Sequence, residues 1–206
     1  MSTDDHPQLY LITPPAFELE TFPDTLARVL DGTEVACVRL DLASRDEDTV
    51  SRAADALREV AHARDVALVI AEHVLMAQRL GLDGVHLKDA ARSVRAARKS
   101  LGADSIVGCF CAASRHDGMS AGEAGADYVA FGPAGISGLN DGLQAPFELF
   151  EWWSQMIEVP VVAEGALTAE TVRQLAPVTD FFGIGSEIWS DANPAAALKA
   201  LAGAMR

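Results

Sequence analysis

Carboxylates, one histidine and several glycines stand at the ends of short apolar runs in this chain, where a folded sheet would present them together. Val159-Pro-Val-Val-Ala-Glu-Gly165 is an apolar β run ending on a carboxylate and a glycine, and Asp180-Phe-Phe-Gly-Ile-Gly-Ser186 ends on glycine and serine. Glycine after a strand lets the backbone approach a ligand closely, and free N–H groups at a following helix start can hold an anion. Gly165, Gly185 and Ser186 are therefore candidates for a phosphate cup. Asp41, Glu72, His86 and Glu164 lie at or near the ends of apolar runs and are candidates for acid/base work, with Glu72 also a candidate metal ligand. Each has a plainer reading. His86 could be a packed, hydrogen-bonded residue, Glu72 a helix cap and Asp41 a solvated loop residue.

Bringing these residues together takes a repeated β–α unit. Apolar strands are predicted over 8–13, 35–40, 66–70, 84–87, 105–110 and 127–131, followed by the two runs above. Helices are predicted over 22–31, from the acidic stretch at Asp46 through Ala63, and over 72–80, 90–101, 120–124, 143–157, 169–175 and 194–205. Short, nearly continuous apolar strands alternating with helices indicate a parallel sheet covered on both faces. Eight such units close naturally into a single (β/α)8 TIM barrel of the α/β class, whose loops after strands seven and eight are the usual phosphate site. A doubly wound open sheet is the alternative, but no dinucleotide fingerprint follows the first strand.

Composition narrows the function classes. The 206 residues lack a Pro/Ser/Gly-rich linker and are read as one domain over 1–206, with 1–7 as a polar N-terminal tail. A net charge of −14 argues against nucleic-acid and anionic-membrane partners, which attract Lys and Arg clusters. No apolar run reaches membrane-spanning length and no signal-peptide pattern is present, so a cytoplasmic location is expected. Cys37, Cys109 and Cys111 fit reduced core thiols better than a disulfide framework; a metal pair at 109 and 111 lacks further ligands nearby. In the helix over 143–157, Leu143, Phe147, Phe150, Trp153 and Ile157 form one apolar stripe and Leu149, Trp152 and Met156 a second. A barrel helix needs only one, so the second is expected to serve a homodimer.

Five motifs, in this order, resemble the successive signatures of the thiamine phosphate synthase and TenI superfamily. They are Leu9-Tyr-Leu-Ile-Thr13, Asp83-Gly-Val-His-Leu87, Gly125-Ala-Asp-Tyr-Val-Ala-Phe-Gly-Pro133, Pro160-Val-Val-Ala-Glu-Gly165 and the end of strand eight. The resemblance implies the same barrel. It also implies one of two activities: coupling of hydroxymethylpyrimidine diphosphate to a thiazole phosphate with Mg²⁺, or tautomerisation of the thiazole phosphate. Its partner would be a small phosphorylated metabolite, held by Arg39, Ser137, Gly165, Gly185 and Ser186, with His86, Glu72 and Glu164 as the acid/base candidates.

Several positions depart from that pattern. Asp41 stands where the family carries lysine, Ala71-Glu72 where it carries Asn-Asp, and Ala166 where it carries a second glycine. Ser137 is the one hydroxyl in a loop where the family has a Thr-rich segment with lysine, and Gly132-Pro133 replaces the Gly-His pair of some TenI proteins. Glu164 takes a position that is often apolar. A departing diphosphate must be neutralised by Mg²⁺, Lys or Arg. These replacements therefore predict weakened synthase activity and an acidic mouth with room for at most one phosphate. The alternatives are a non-catalytic protein that binds a metabolite or a partner, and an enzyme of changed chemistry that uses the acidic mouth and the Cys111 thiol.

Overall fold

The apolar runs pair side by side in chain order, and the last returns to the first. The computed structural model describes residues 6–136 and 144–206. Its strands are β1 (Gln8–Ile12), β2 (Cys37–Leu40), β3 (Ala67–Ala71), β4 (Gly84–Leu87), β5 (Ile106–Phe110), β6 (Tyr128–Phe131), β7 (Val161–Glu164) and β8 (Phe181–Ile184). All neighbours are parallel, and β8 pairs with β1 to close the (β/α)8 barrel that the alternation predicts. The open-sheet alternative is excluded by that closure.

The helices are α1 (Phe22–Gly32), α2 (Glu47–His62), α3 (Val74–Leu80), α4 (Val94–Leu101), α5 (Arg115–Glu123), α6 (Phe147–Met156), α7 (Ala169–Leu175), α8 (Ser186–Trp189) and α9 (Pro194–Gly203). Two layers of core result. The outer layer, between strands and helices, includes Leu26, Leu57, Phe131, Phe150 and Trp153. The inner layer, inside the barrel, is built on Tyr10, Cys37, Val69, Tyr128, Ala130 and Val162. Alternation along each strand sends successive side chains to these two layers in turn.

Helix starts differ most from the sequence-based expectation, and local backbone explains why. Glu72 and Ala90 take left-handed φ values of +64° and +56°, so α3 and α4 begin later than 72 and 90. Glu72 therefore caps no helix; its backbone N–H donates to His86 O at 2.9 Å, prolonging the β3–β4 pairing. Conversely α5 starts earlier than 120, because the Ser114 hydroxyl accepts the Asp117 N–H at 3.2 Å and caps it. The predicted helix over 143–157 ran through Pro146, which the structure places just before α6, since proline cannot continue a helix from inside it.

The second apolar stripe of α6, expected to serve a homodimer, is unevenly exposed in the single chain. Leu149 is buried in the core, Trp152 is half-buried beneath the Arg115 guanidinium at 4.0 Å, and only Met156 of the three is exposed. Pro7, within the segment expected to be a polar tail, is buried. Among the described residues no helix is long and apolar enough to cross a membrane.

Candidate active site

The inner layer carries a polar column that sequence spacing alone does not reveal. Arg39 on β2 projects inward and meets the Glu164 carboxylate from β7 at two points, Nη1 to Oε2 at 3.0 Å and Nη2 to Oε1 at 3.2 Å. Its Nη1 also reaches His86 Nε2 on β4 at 2.8 Å. Arginine can only donate, so Nε2 accepts and Nδ1 carries the proton. Nδ1–H then donates to the Tyr128 hydroxyl at 2.9 Å, and that hydroxyl in turn shares a hydrogen bond with the Tyr10 hydroxyl at 2.6 Å. Gly108 on β5 leaves room for this column, since a Cβ there would sit 2.0 Å from the Tyr128 ring.

Burial sets the charge states. His86 is fully buried, and that burial, with the positive charges of Arg39 and Lys88 nearby, holds its pKa well below the usual histidine value. The imidazole is neutral, with both nitrogens engaged. Burial likewise pushes the Tyr10 and Tyr128 hydroxyls well above ordinary phenol. For Arg39 burial opposes the charge, but Glu164 and the two tyrosines outweigh it and raise the pKa further. The guanidinium is thus a fixed cation whose Nη atoms are both committed.

Above the column, at the C-terminal ends of the strands, lies a cavity of about 560 Å³. Thr13, Asp41, Glu164, Gly165, Gly185, Ser186 and Glu187 are among its lining residues. Its charged lining, among the described residues, is three carboxylates and no basic side chain. Asp41 lies 3.3 Å from Arg39 Nε and 2.6 Å from Lys88 Nζ. Glu187 receives backbone donors from both closing loops: Gly185 N–H to Oε2 at 2.7 Å and Leu167 N–H to Oε1 at 3.1 Å. Trp189 closes the side, its indole N–H donating to Ile12 O at 2.6 Å.

The residues singled out from the sequence divide accordingly. Arg39, His86 and Glu164 come together in one network, and Glu164, Gly165, Gly185 and Ser186 share the cavity wall. His86 sits beneath the cavity and is absent from its lining, while Glu72 is exposed outside it. Ser137 lies outside the described residues. Tyr10, Tyr128, Lys88 and Glu187 were not singled out. The signal for the first two was a polar-tipped ring within an otherwise mostly apolar strand; for Glu187 it was a carboxylate following the Gly185-Ser186 turn.

Magnesium usually binds through one or two carboxylates together with ligand phosphates. Among the described residues no three His, Cys, Asp or Glu side chains are grouped so that they could hold a metal ion, and Asp41 is already held by two cations. Glu72 alone does not make a fitted Mg²⁺ site, and Cys109 and Cys111, 3.7 Å apart and buried, have no further ligands. Cys111 is a protonated thiol, its pKa raised by the contact with Cys109 and by burial.

Comparison with known proteins places this geometry in a family. The thiamine monophosphate synthase family (TMP-TENI) matches residues 9–184. The chain belongs to that family. A thiamine-phosphate synthase of Rhodospirillum centenum is 44% identical over 93% of this chain and 94% of its own length. One from Erythrobacter litoralis is 38% identical over 89% and 88%. Thiamine phosphate pyrophosphorylase from Pyrococcus furiosus superposes with a TM-score of 0.83 at 20% identity, covering 96% of this chain and 95% of that one, a likeness of fold.

Proposed function

We propose that the chain binds a phosphorylated thiazole or pyrimidine of thiamine phosphate formation at the C-terminal mouth of its barrel, and that it joins the two halves slowly. Family membership supports the ligand class. The observation that carries the second part is the charged lining of the cavity, which among the described residues is Asp41, Glu164 and Glu187.

Coupling breaks the bond between the pyrimidine methylene and its diphosphate, so negative charge grows on the leaving group and must be met by cations. Arg39 pairs with Glu164 of the cavity wall, Nη1 bonding both Glu164 and His86 and Nη2 bonding Glu164, so its charge is already met by a carboxylate. Asp41 draws Lys88 to itself instead of leaving an ammonium free. The sequence from Ser137 to Leu143 contains no Lys, Arg or His. A diphosphate entering here meets carboxylates first, whereas a ligand with one phosphate brings less charge into the same space. The roles left to the chain are to bind and orient a ring above the Arg39–Glu164 pair and, through Trp189 and the β7 and β8 loops, to exclude water.

Calorimetric titration with thiazole phosphate and with hydroxymethylpyrimidine diphosphate, each with and without Mg²⁺, tests this order. The single-phosphate ligand should bind more tightly in both conditions. Tighter, Mg²⁺-dependent binding of the diphosphate would overturn the reading. Mixing both ligands with Mg²⁺ should give slow product, and binding without any product would make the chain a non-catalytic binder.

A further inference from the structure

The loops after β7 and β8 are where a barrel of this kind usually grips phosphate, and here their backbone donors already hold an anion. Glu187 spans the two loops, one carboxylate oxygen on Gly185 N–H at 2.7 Å and the other on Leu167 N–H at 3.1 Å. A carboxylate that merely caps a helix reaches back to the N–H at that helix's own start, which accounts for Gly185 only. Leu167 belongs to the other loop, twenty positions away in sequence, and a cap has no need of it. The carboxylate also forms part of the cavity wall. Asp41 and Glu164 are paired with Arg39 and Lys88, whereas Glu187 has no ion-pair partner among the described residues.

We infer that Glu187 is a resident anion in the phosphate cup, and that residue 187 sets how well the site accepts a phosphate. The inference rests on the ligand class proposed above and adds the element that discriminates within it. A phosphate offers terminal oxygens to the same two N–H donors, so ligand and side chain compete for them directly. Glu187 is only partly buried and can turn its carboxylate toward solvent when displaced. Until it does, an incoming phosphate meets both occupied donors and an unpaired negative charge.

Removing the carboxylate should open the cup. Calorimetric titration with inorganic phosphate and with thiazole phosphate compares wild type, Glu187→Ala and Glu187→Gln, with circular dichroism confirming the fold. Glu187→Ala should bind both probes about tenfold more tightly, the scale of one charge-assisted contact, and Glu187→Gln should fall between, keeping the shape without the charge. If Glu187→Ala fails to fold, Glu187→Gln alone decides by the same direction of change. Equal or weaker binding by the variants, with or without a lower Tm, would make Glu187 a structural cap and overturn the inference while leaving the ligand class intact. Tighter inorganic phosphate with no binding of thiazole phosphate by any form would instead uphold Glu187's role and reject the ligand class.

Discussion

Arg39 and Glu164 meet across the barrel interior as a two-point ion pair, 3.0 Å and 3.2 Å between nitrogen and oxygen, with side chains 5% and 11% exposed. Taking two charges out of water costs several kcal/mol, and their attraction roughly repays it, so the pair is balanced while either partner alone is not. Glu164→Leu should destabilise the protein by about 3 kcal/mol because it leaves the guanidinium with Asp41 as its one remaining ion-pair partner among the described residues. Arg39→Met combined with Glu164→Leu should recover most of that loss. Urea denaturation of the two single variants and the double variant measures the coupling, and simple additivity would show that the pair is not a unit.

His86 should make stability depend on pH. Its folded pKa lies well below the unfolded value near 6.5, first through burial and then through Arg39 and Lys88. Below the unfolded value the unfolded chain takes up a proton that the native chain refuses, so its contribution is complete above about pH 6.5 and shrinks as the pH falls. The loss of unfolding free energy should start near pH 6.5 and steepen to about 1.4 kcal/mol per pH unit roughly one unit below it, for a total of about 1.2 kcal/mol between pH 7.0 and 5.5. Equilibrium denaturation at pH 7.0 and 5.5 measures the slope, and His86→Asn should flatten it. An unchanged slope in that variant would place the dependence elsewhere.

The barrel was legible because every strand is a short apolar run ending in turn residues, and β4 (Gly84–Leu87) and α7 (Ala169–Leu175) match the expected ranges. The glycine-rich ends of β7 and β8 likewise marked two walls of the cavity. The polar column was not legible, since Arg39 and Glu164 are 125 positions apart and meet only when β2 and β7 face the same interior. The left-handed residues Glu72 and Ala90 could not be anticipated either, because neither is the glycine or asparagine that usually signals that conformation. Glu187 follows a recognisable turn, but its bond to Leu167 depends on how two loops come together.

The thiols should be inert in the folded protein. Burial pushes the Cys37 thiol up to about 12, and the Cys109 contact with burial raises that of Cys111, so neither is a thiolate near neutral pH. Cys109 is fully buried beside Cys111. Ellman's reagent at pH 8 should label no cysteine in native protein and all three after denaturation in urea. Rapid labelling of Cys111 in the native state would revive a nucleophilic role for it.

Gly108 should tolerate no side chain while Tyr128 keeps its ring. A Cβ at that position would lie 2.0 Å from Tyr128 Cζ, far inside contact distance, and the ring cannot turn away without surrendering its bonds to His86 and Tyr10. Gly108→Ala should therefore cost about 3 kcal/mol, the upper range for overpacking a core. In a Tyr128→Leu background the same alanine should cost much less, because the smaller side chain vacates the space while the loss of the hydroxyl is already counted in the reference. Denaturation of the four proteins in this cycle isolates the clash from the hydrogen bonds. An equal penalty in both backgrounds would mean that β5 itself, and not the tyrosine, requires glycine.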